Sequence, residues 1–199
     1  LGELKGFDIV SFDIFDTVLR REFTEPDYAK LKLGRALVKE GFFLQPQEFV
    51  ELRNETELSC RKNLNFEGDV SIFQVYDLLG RKLDIEPQLA REWAEREFHY
   101  DLGMALPKDE IVKMVHELHE EGREIWFVTD IYYTKAQIAS MLRKIGISIP
   151  YTLFVSSDLK MRKDTGTMWS FIKERVGRLS KSYVHVGDNV RSDAQICGD

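Results

Sequence analysis

Several features that would assign the chain to a familiar class are scarce or missing in its sequence. Its 199 residues contain only two cysteines, Cys60 and Cys197, which stand far apart and form no CxxC pair. This spacing argues against a disulfide scaffold or a zinc knuckle, and it indicates a reducing, cytoplasmic compartment. No apolar run approaches the roughly 20 residues that are needed to cross a bilayer, so we expect no membrane insertion.

Nucleotide-binding patterns and the charge balance of a nucleic-acid-binding protein are also missing. The sequence contains neither a Walker A motif nor a GxGxxG pattern, and a nucleotide-binding loop therefore has no support. Its formal net charge is −6, which is unfavourable for binding nucleic acid or an anionic membrane surface. With 43% hydrophobic residues, the chain can bury one core with a smaller appended lobe.

Residues 6–21, GFDIVSFDIFDTVLRR, combine a short apolar run with an acidic loop. Residues 7–12 are typical of a strand that is buried on both faces, and Asp13 follows this strand at once. Carboxylates at the carboxyl end of a parallel strand lie where open α/β sheets bind their ligands. A single Asp at this place also fits a helix cap or a turn. The rest of the chain has to distinguish these two interpretations.

After Arg21 the pattern changes from strand to helix for about eighty residues. Helical periodicity and the positions of the prolines predict four helix starts, near Pro26, near Pro46, at Asp69 or Ser71, and near Pro87. The segment has no internal repeat, low-complexity tract or Gly/Ser linker. We therefore expect residues 23–105 to form a compact, all-helical lobe.

An alternation of helices and strands resumes at Pro107. Apolar runs predict strands at residues 124–128, 151–155 and 183–186, each separated from the next by a helical pattern. Strands that alternate with helices pair in parallel through right-handed crossovers. Residues 1–22 and 106–199 are therefore predicted to form one α/β unit, a Rossmann-like parallel sheet with helices on both faces.

The residues that follow these strands form a chemical set. Because the carboxyl ends of parallel strands meet at one edge of a sheet, we expect them to share a crevice. They supply carboxylates, a hydroxyl and an ammonium group, from Asp13, Thr129, Asp130, Lys163, Asp188 and Asp193. Crowded carboxylates repel one another unless a divalent cation lies among them, and Mg²⁺ suits an all-oxygen site with a phosphate oxygen. One carboxylate is then free to attack phosphorus and form an aspartyl phosphate.

Four motifs in this order resemble those of the haloacid dehalogenase (HAD) superfamily. They are FDIFDT at residues 12–17, FVTD at 127–130, SSDLKMRK at 156–163 and VGDNVRSD at 186–193. The resemblance covers nearly all of the chain, since members with a helical cap carry it where residues 23–105 lie. It implies a HAD-like core with an inserted cap, and a Mg²⁺-dependent phosphatase that acts on a small phosphorylated metabolite.

The resemblance also implies roles for individual residues. Asp13 would be the nucleophile, Thr129 would bind the substrate phosphate, and Lys163 would neutralise charge on nucleophile and phosphate. The adjacent Asp130 is a further candidate for substrate binding. Asp188 would bind Mg²⁺ together with Asp13 and the backbone carbonyl of Phe15. Asp193 would either join this metal site or hold Lys163.

Phe15 departs from the pattern of the superfamily's phosphatases, which usually have a second Asp two residues after the nucleophile to act as acid and base. Asp16, one residue further on, either takes over that role or caps the turn. Dehalogenases also lack the second Asp, but they generally lose the metal-binding acid that this chain keeps as Asp188. Phosphate is therefore preferred over an organohalide. Phe15 also leaves open a catalytically weak or inactive domain that binds a ligand or a neighbouring domain of a larger glycan-assembly protein.

The F-D-x-F-D-T form of the first motif resembles a subset of hydrolases that are often fused to, or encoded beside, proteins that assemble surface polysaccharides. This likeness implies a sugar phosphate or glycan intermediate as substrate and a glycosyltransferase as fused or associated protein. In this superfamily a further strand usually follows the fourth motif, so a shortened sheet or an excised domain is expected here.

Three arginines are candidates for holding the non-reacting part of an anionic substrate. Arg53 and Arg61 lie on either side of Glu57 at intervals of four residues, which is also the spacing of ion pairs on an exposed helix face. Arg21 lies close behind the nucleophile loop. Substrate binding and ion pairing are both consistent with the sequence.

Other candidates are assigned to structural positions. Lys160 competes with Lys163 for the third motif, but the Asp-Thr-Gly turn that follows favours Lys163 and leaves Lys160 on a solvated loop. His185 lies within the last predicted strand and is expected to be packed in the core. The same is expected of the three tryptophans, Trp93, Trp126 and Trp169, because they occur in apolar periodic segments.

Overall fold

The central feature of the fold is a sheet of four parallel strands. The structure is a computed structural model, and it describes residues 2–23, 25 and 27–198. The strands are β1 (Ile9–Phe12), β4 (Glu124–Thr129), β5 (Thr152–Val155) and β6 (Tyr183–Val186), in the spatial order β5-β4-β1-β6. β1 pairs in parallel with β4 and with β6 and is buried along its whole length. The predicted parallel α/β sheet is confirmed.

Helices cover both faces of this sheet because the side chains of a strand point alternately to opposite faces. Val10 and Phe12 pack in one buried cluster with α5 (Asp109–Glu120) and α6 (Lys135–Lys144), whereas Ile9 packs in another with α8 (Thr167–Leu179). The core holds the three tryptophans, as predicted. Shorter elements are a 3₁₀ turn at Leu4–Gly6, α7 (Ser156–Leu159), a π-helical segment at Val190–Gln195 and α9 (Ile196–Gly198).

Four helices lie between the first strand and the rest of the sheet. They are α1 (Tyr28–Lys39), α2 (Pro46–Asn63), α3 (Ile72–Leu83) and α4 (Pro87–Met104). α2 and α4 begin at the predicted prolines, since proline is preorganised for the first helical turn, whereas Pro26 lies outside the described residues. None of the helices in the described part of the chain combines the length and the apolar composition that a bilayer crossing requires.

A two-stranded antiparallel ribbon joins this helical insert to the α/β unit. It consists of β2 (Leu19–Arg21) and β3 (Ala105–Pro107), with Arg20 opposite Leu106. The ribbon was not predicted, because three-residue strands are too short to show a periodic pattern. Both passages of the chain between the α/β unit and the insert run through it, and the nucleophile loop precedes it directly.

Candidate active site

The strand ends at one edge of the sheet surround a pocket of about 450 Å³. Asp13 follows β1 and continues its pairing, since its backbone N–H donates to the carbonyl of Val186 at 2.8 Å. Thr129 is the last residue of β4. The pocket is lined by residues from all four motifs, namely Asp13, Phe15, Asp16, Thr129, Asp130, Arg162, Lys163, Asp164, Asp188, Asn189, Arg191, Ser192 and Asp193. The tertiary structure thus brings the motif residues together across the sheet edge.

Lys163 links the nucleophile candidate to the fourth motif. Its Nζ lies 2.6 Å from Asp13 Oδ1 and 2.6 Å from Asp193 Oδ1, and the residue is only 4% exposed. Burial alone would lower the pKa of Lys163, but the two carboxylates outweigh it and raise that pKa. The ammonium group is therefore held in its charged form between two acids. Lys160, the competing candidate, is exposed, and its Nζ lies 3.1 Å from Gln74 Oε1.

Asp130 positions the loop that carries Lys163. Both of its carboxylate oxygens accept a hydrogen bond from the backbone N–H of Lys163, at 2.9 Å each. Burial raises the pKa of Asp130 to about 6, although the hydrogen bond from Lys163 opposes this rise. The carboxylate thus anchors the lysine loop from the end of β4 and also lines the pocket.

The two acids that hold Lys163 differ in their protonation equilibria. Burial raises the pKa of Asp13 to about 6, against the opposing effect of Lys163. Burial acts in the same direction on Asp193, but the interactions with His185 and Lys163 outweigh it and hold the pKa of Asp193 well below its ordinary value. Asp193 is therefore ionised at neutral pH and is the counter-ion of Lys163. The ionised form of Asp13, in contrast, is destabilised by its burial.

Three carboxylates form a cluster that fits a hard cation. One oxygen each from Asp13, Asp188 and Asp193 lies within 4.8 Å of the others. Thr17 donates its hydroxyl to Asp188 Oδ1 at 3.3 Å. A single lysine cannot neutralise three acids, and carboxylate oxygens are ligands of hard divalent cations, so the donor set fits a divalent cation. Asp193 belongs to this cluster and also holds Lys163, which gives both predicted roles a geometric basis.

Two backbone features shape the loops around the cluster. Asp16 has a φ of +58°, in the left-handed region, and its carbonyl accepts a hydrogen bond from Lys108 Nζ. Gly187 packs directly against the carboxylate of Asp193, and a Cβ at this position would collide with that carboxylate. Glycine is therefore required at residue 187 for the close approach of Asp193 to the end of β6.

Arg21 is not part of the pocket wall. Its guanidinium makes a two-pronged ion pair with Asp101 of α4, at 2.6 and 2.8 Å, and it lies over the Phe15 ring at 4.5 Å from the ring centroid. Tyr133 donates its hydroxyl to the same Asp101 at 3.0 Å. These contacts tie the loop that carries Phe15 to the helical insert, and the predicted contact of Arg21 with a substrate stays a prediction.

Arg53 and Arg61 also lie away from the pocket, in a cluster that we call the arginine network, consisting of Arg53, Glu57, Arg61, Asp69 and Glu97. Arg53 is fully buried, and its Nε and Nη2 donate to the two oxygens of Glu97 at 3.0 Å each. Arg61 pairs with Glu57 at 2.9 Å and also with Asp69. The predicted ion pairs exist, and the pair of Arg53 with Glu97 is fully buried, whereas the Arg61 and Glu57 side chains are 17% and 16% exposed. Both arginines are engaged by carboxylates of the insert, and their contact with a substrate stays a prediction.

Some residues of the pocket were not predicted from the sequence. Arg162 and Asp164 flank Lys163 and pair with each other, with Arg162 Nε 2.8 Å from Asp164 Oδ1. Asn189, Arg191 and Ser192 lie between the two acids of the fourth motif and line the pocket with them. Their positions next to motif residues were the available signal, but no spacing rule indicated that their side chains would reach the pocket.

His185 lies behind the pocket, as its prediction as a packed residue requires. Its side chain is 1% exposed, its Nδ1 lies 2.7 Å from Ser11 Oγ, and its Nε2 lies 3.5 Å from Asp193 Oδ1. Burial lowers the pKa of His185, against the opposing effect of Asp193. The imidazole is therefore neutral at neutral pH and borders on the carboxylate that holds Lys163.

Comparison with solved structures shows what the fold is similar to. The 2-haloacid dehalogenase from Pseudomonas syringae pv. Tomato DC3000 has a TM-score of 0.67 at 18% identity, over 96% of this chain and 82% of that chain. The HAD-hydrolase YfnB from Bacillus subtilis, in a structure bound to magnesium, has a TM-score of 0.59 at 14% identity, over 96% and 84%. The L-2-haloacid dehalogenase from Xanthobacter autotrophicus has a TM-score of 0.57 at 13% identity, over 96% and 75%.

These identities are low, so the structural likeness concerns the fold. No curated protein sequence matches the chain significantly. A family model described as haloacid dehalogenase-like hydrolase, however, matches residues 7–197, which include all four strands of the sheet and the whole pocket. The chain therefore belongs to the haloacid dehalogenase-like hydrolases.

Proposed function

We propose that the chain is a Mg²⁺-dependent phosphohydrolase that forms a covalent aspartyl phosphate on Asp13. The observation that carries this proposal is the arrangement around Lys163, whose Nζ lies 2.6 Å from both Asp13 and Asp193, inside a cluster of three carboxylates. One fixed cation and a site for a second surround the nucleophile. Phosphoryl transfer depends on such positioned positive charge more than on any other group.

The proposed reaction has two displacements at phosphorus. An ionised oxygen of Asp13 attacks the phosphorus atom, and the bond to the leaving-group oxygen breaks as that oxygen takes up a proton. A water molecule then attacks the phosphorus of the aspartyl phosphate, which releases inorganic phosphate and regenerates the Asp13 carboxylate. Lys163 stabilises the negative charge on the phosphoryl oxygens in both steps, and the Thr129 hydroxyl lines the pocket where one of these oxygens would lie.

The metal ligands in this proposal are Asp13, Asp188, Asp193 and the backbone carbonyl of Phe15. When bound there, Mg²⁺ would offset the charge of the carboxylate cluster and polarise a phosphoryl oxygen. Two of these ligands are oriented by hydrogen bonds, from the Thr17 hydroxyl to Asp188 and from Lys163 Nζ to Asp193.

Asp16 is the proposed proton donor for the leaving group. It is exposed at the pocket rim, one residue beyond the Phe15 position that lacks a carboxylate. An Asp16→Asn variant should therefore lose turnover of an alkyl phosphate, whose leaving group needs a proton, by about 10²-fold or more. Turnover of p-nitrophenyl phosphate, whose leaving group needs no proton, should change much less. Equal losses on both substrates would contradict the role of Asp16 as an acid.

The proposed substrate is a small phosphorylated metabolite, such as a sugar phosphate or a phosphorylated glycan intermediate, with a glycosyltransferase as fused or associated protein. The sequence resemblance supports this substrate class, as does the pocket size of about 450 Å³, which admits a small molecule. The helical insert, residues 23–105, is proposed to act as the cap that encloses the substrate and excludes water.

A phosphatase screen with and without Mg²⁺ tests the proposal. Wild type should turn over at least one phosphate ester only with Mg²⁺, and Asp13→Asn should abolish this turnover. Asp77→Asn, which removes an exposed carboxylate on α3, is the matched control and should remain active. Turnover that persists in Asp13→Asn or without metal would contradict the proposal. Beryllofluoride, which mimics an acyl phosphate, should bind wild type but not Asp13→Asn.

Dehalogenation is the second candidate function. It is favoured by the structures of 2-haloacid dehalogenases among the similar folds and by Phe15 at the position of the usual second Asp. In that reaction Asp13 would attack the carbon that carries the halogen, forming an ester and releasing halide. Halide release from 2-chloropropionate without Mg²⁺, lost in Asp13→Asn, would favour this function over phosphate hydrolysis. An absence of turnover in both assays would leave a ligand-binding domain as the function to test.

A further inference from the structure

A buried row of polar side chains runs behind the nucleophile, across the pairing of β1 with β6. Ser11 of β1 lies opposite His185 of β6 in the sheet register. Ser11 Oγ lies 2.7 Å from His185 Nδ1 and 2.7 Å from the Tyr183 hydroxyl, and Ser11 is fully buried. On the other side of the imidazole, Nε2 lies 3.5 Å from Asp193 Oδ1. The row therefore ends on the carboxylate that holds Lys163.

The contacts of the imidazole select one of its two neutral tautomers. With the proton on Nδ1, the lone pair of Nε2 would face the Asp193 carboxylate, which is repulsive. With the proton on Nε2, an N–H group faces that carboxylate, and Nδ1 accepts the hydroxyl proton of Ser11. The Ser11 hydroxyl also reaches the Tyr183 hydroxyl at 2.7 Å and the Val184 carbonyl at 3.3 Å, so the Ser11 side does not choose between the tautomers, and the choice rests on the Asp193 carboxylate beside Nε2.

The imidazole is also held in its plane. The Trp169 ring packs edge-on against it, with 4.7 Å between ring centroids, and Trp169 Nε1 donates to the carbonyl of Ser192 at 2.7 Å. Ser192 precedes Asp193 in the π-helical segment, so the same tryptophan contacts the histidine and fixes the backbone next to the acid. At 3.5 Å the Nε2–Asp193 contact is longer than an ordinary hydrogen bond, and His185 Nε2 has no other partner among the described residues. Nε2 and Lys163 Nζ face the same oxygen of Asp193, Oδ1.

We propose that His185 is a positioning residue for the active site, whose Nε2–H group directs the Asp193 carboxylate toward Lys163 and thereby holds the lysine against Asp13. The proposal rests on the phosphohydrolase function, since it specifies how that site keeps its lysine in place. Residues that orient a ligand of a metal site from behind contribute about 10- to 100-fold to metal affinity or activity.

The tautomer is tested first, on the unmodified protein without metal or substrate. In a long-range ¹H–¹⁵N correlation spectrum at neutral pH, His185 should show a protonated Nε2 and an unprotonated Nδ1. Asp193→Asn should shift the His185 Nε2 resonance and leave the resonances of the three other histidines, which lie outside this row, unchanged. A proton on Nδ1 in the unmodified protein, or an Nε2 resonance that does not respond to Asp193→Asn, would overturn the proposal.

A matched pair of variants tests the function of the contact. The amide of a glutamine takes the place of Nε2, whereas the amide of an asparagine takes the place of Nδ1. His185→Gln should therefore keep Mg²⁺ affinity and beryllofluoride binding within about threefold of wild type, whereas His185→Asn should weaken both by about 10- to 100-fold. Equal behaviour of the two variants would overturn the proposal. In the Asp193→Asn background, the two variants should no longer differ.

The experiments distinguish a failure of the proposed role of His185 from a failure of the proposed phosphohydrolase function. If wild type bound neither Mg²⁺ nor beryllofluoride, the phosphohydrolase proposal would fail, while the spectrum would still report whether His185 donates to Asp193. If wild type bound both and the spectrum showed Nδ1 protonated, only the role of His185 would fail.

Discussion

The pocket and the arginine network are both clusters of charged side chains that include buried acids, but they are balanced differently. In the arginine network every carboxylate has a guanidinium partner, because Arg53 pairs with Glu97 and Glu57 and Arg61 pairs with Glu57 and Asp69. In the pocket, neither Asp130 nor Asp188 makes a salt bridge with a lysine or arginine of the described residues. Every acid of the network thus has a cationic partner, whereas these two acids of the pocket have none among the described residues.

The protonation equilibria of the two clusters reflect this difference. Burial tends to raise the pKa of Glu57 in the network, but Arg53 and Arg61 outweigh it and lower that pKa. Burial also acts on Asp13 in the pocket, where Lys163 does not outweigh it and the pKa rises to about 6. A buried acid whose charge is not compensated by the protein indicates a site for a ligand or for catalysis, whereas a compensated acid indicates structure.

The strongest test of the comparison removes a charge from the arginine network. Arg53→Met would leave Glu97 buried with only the Tyr76 hydroxyl as a partner, at 2.6 Å. The free energy of unfolding should fall by about 3–5 kcal/mol, as for other buried ion pairs that lose one member. Arg96→Met is the matched control, since Arg96 pairs with Glu40 at the surface, and it should cost at most about 1 kcal/mol. Urea denaturation measures the free energy of unfolding of both variants. Equal losses would show that the arginine network stabilises the fold no more than a surface ion pair does.

The proposed Mg²⁺ would supply a positive charge to the acids of the pocket that have no cationic partner. At a concentration of about 100 times its Kd, Mg²⁺ should raise the free energy of unfolding of wild type by about 2.7 kcal/mol. Asp188→Asn should lose most of this gain because it removes one member of the cluster. Asp164→Asn should keep it, since Asp164 lines the pocket but pairs with Arg162. Thermal denaturation with and without Mg²⁺ measures the effect, and an equal gain in both variants would place the metal elsewhere.

Removal of the Asp13 charge from the pocket should raise the free energy of unfolding, whereas removal of the Arg53 charge from the network should lower it. Asp13 has its pKa raised from 3.8 to about 6 in the folded protein, so folding is opposed once the carboxyl has to ionise. The cost begins as pH rises above the unfolded pKa and is fully present above about 6. Metal-free Asp13→Asn should therefore be more stable than wild type at pH 7, by on the order of 1–3 kcal/mol, with a difference that shrinks toward pH 4.

Asp193→Asn is the control, because neutralising this acid should change the stability of the fold in the opposite direction. The pKa of Asp193 is lowered in the folded protein, so its ionised form stabilises the fold at neutral pH and that stabilisation is lost as pH falls below its unfolded value. The variant should therefore be less stable than wild type at pH 7. Chemical denaturation in EDTA across this pH range measures both variants. If Asp13→Asn were also less stable than wild type, the charge of Asp13 would be compensated within the protein, as the acids of the arginine network are.

The sequence was most informative where periodicity and strand ends coincide. The last predicted strand, residues 183–186, has the bounds of β6, and the second, 124–128, is one residue shorter than β4. Buried parallel strands are short apolar runs that their flanking turns delimit. The short ribbon of β2 and β3 was not predicted, because its three-residue strands have no period long enough to detect.

The arginines show where sequence patterns stop being informative. The spacing of Arg53, Glu57 and Arg61 correctly indicated ion pairs, but it contains no information about which neighbouring helix covers that face. Glu97 is 44 residues from Arg53 along the chain and completes the pair from α4. Arg21 likewise meets Asp101 only because the ribbon and α4 come together. Burial of a charge is decided by such distant partners.

The sequence by itself determined the alternation of strands and helices, the four motifs and the residue types at each strand end, because these depend on local periodicity and on the shared direction of parallel strands. Only the tertiary structure decided which charges balance one another. It placed Lys163 between Asp13 and Asp193, paired Arg53 and Arg21 with Glu97 and Asp101 of α4, and set His185 behind Asp193. Electrostatic interactions depend on distance and burial in space, and neither can be read from separation along the chain.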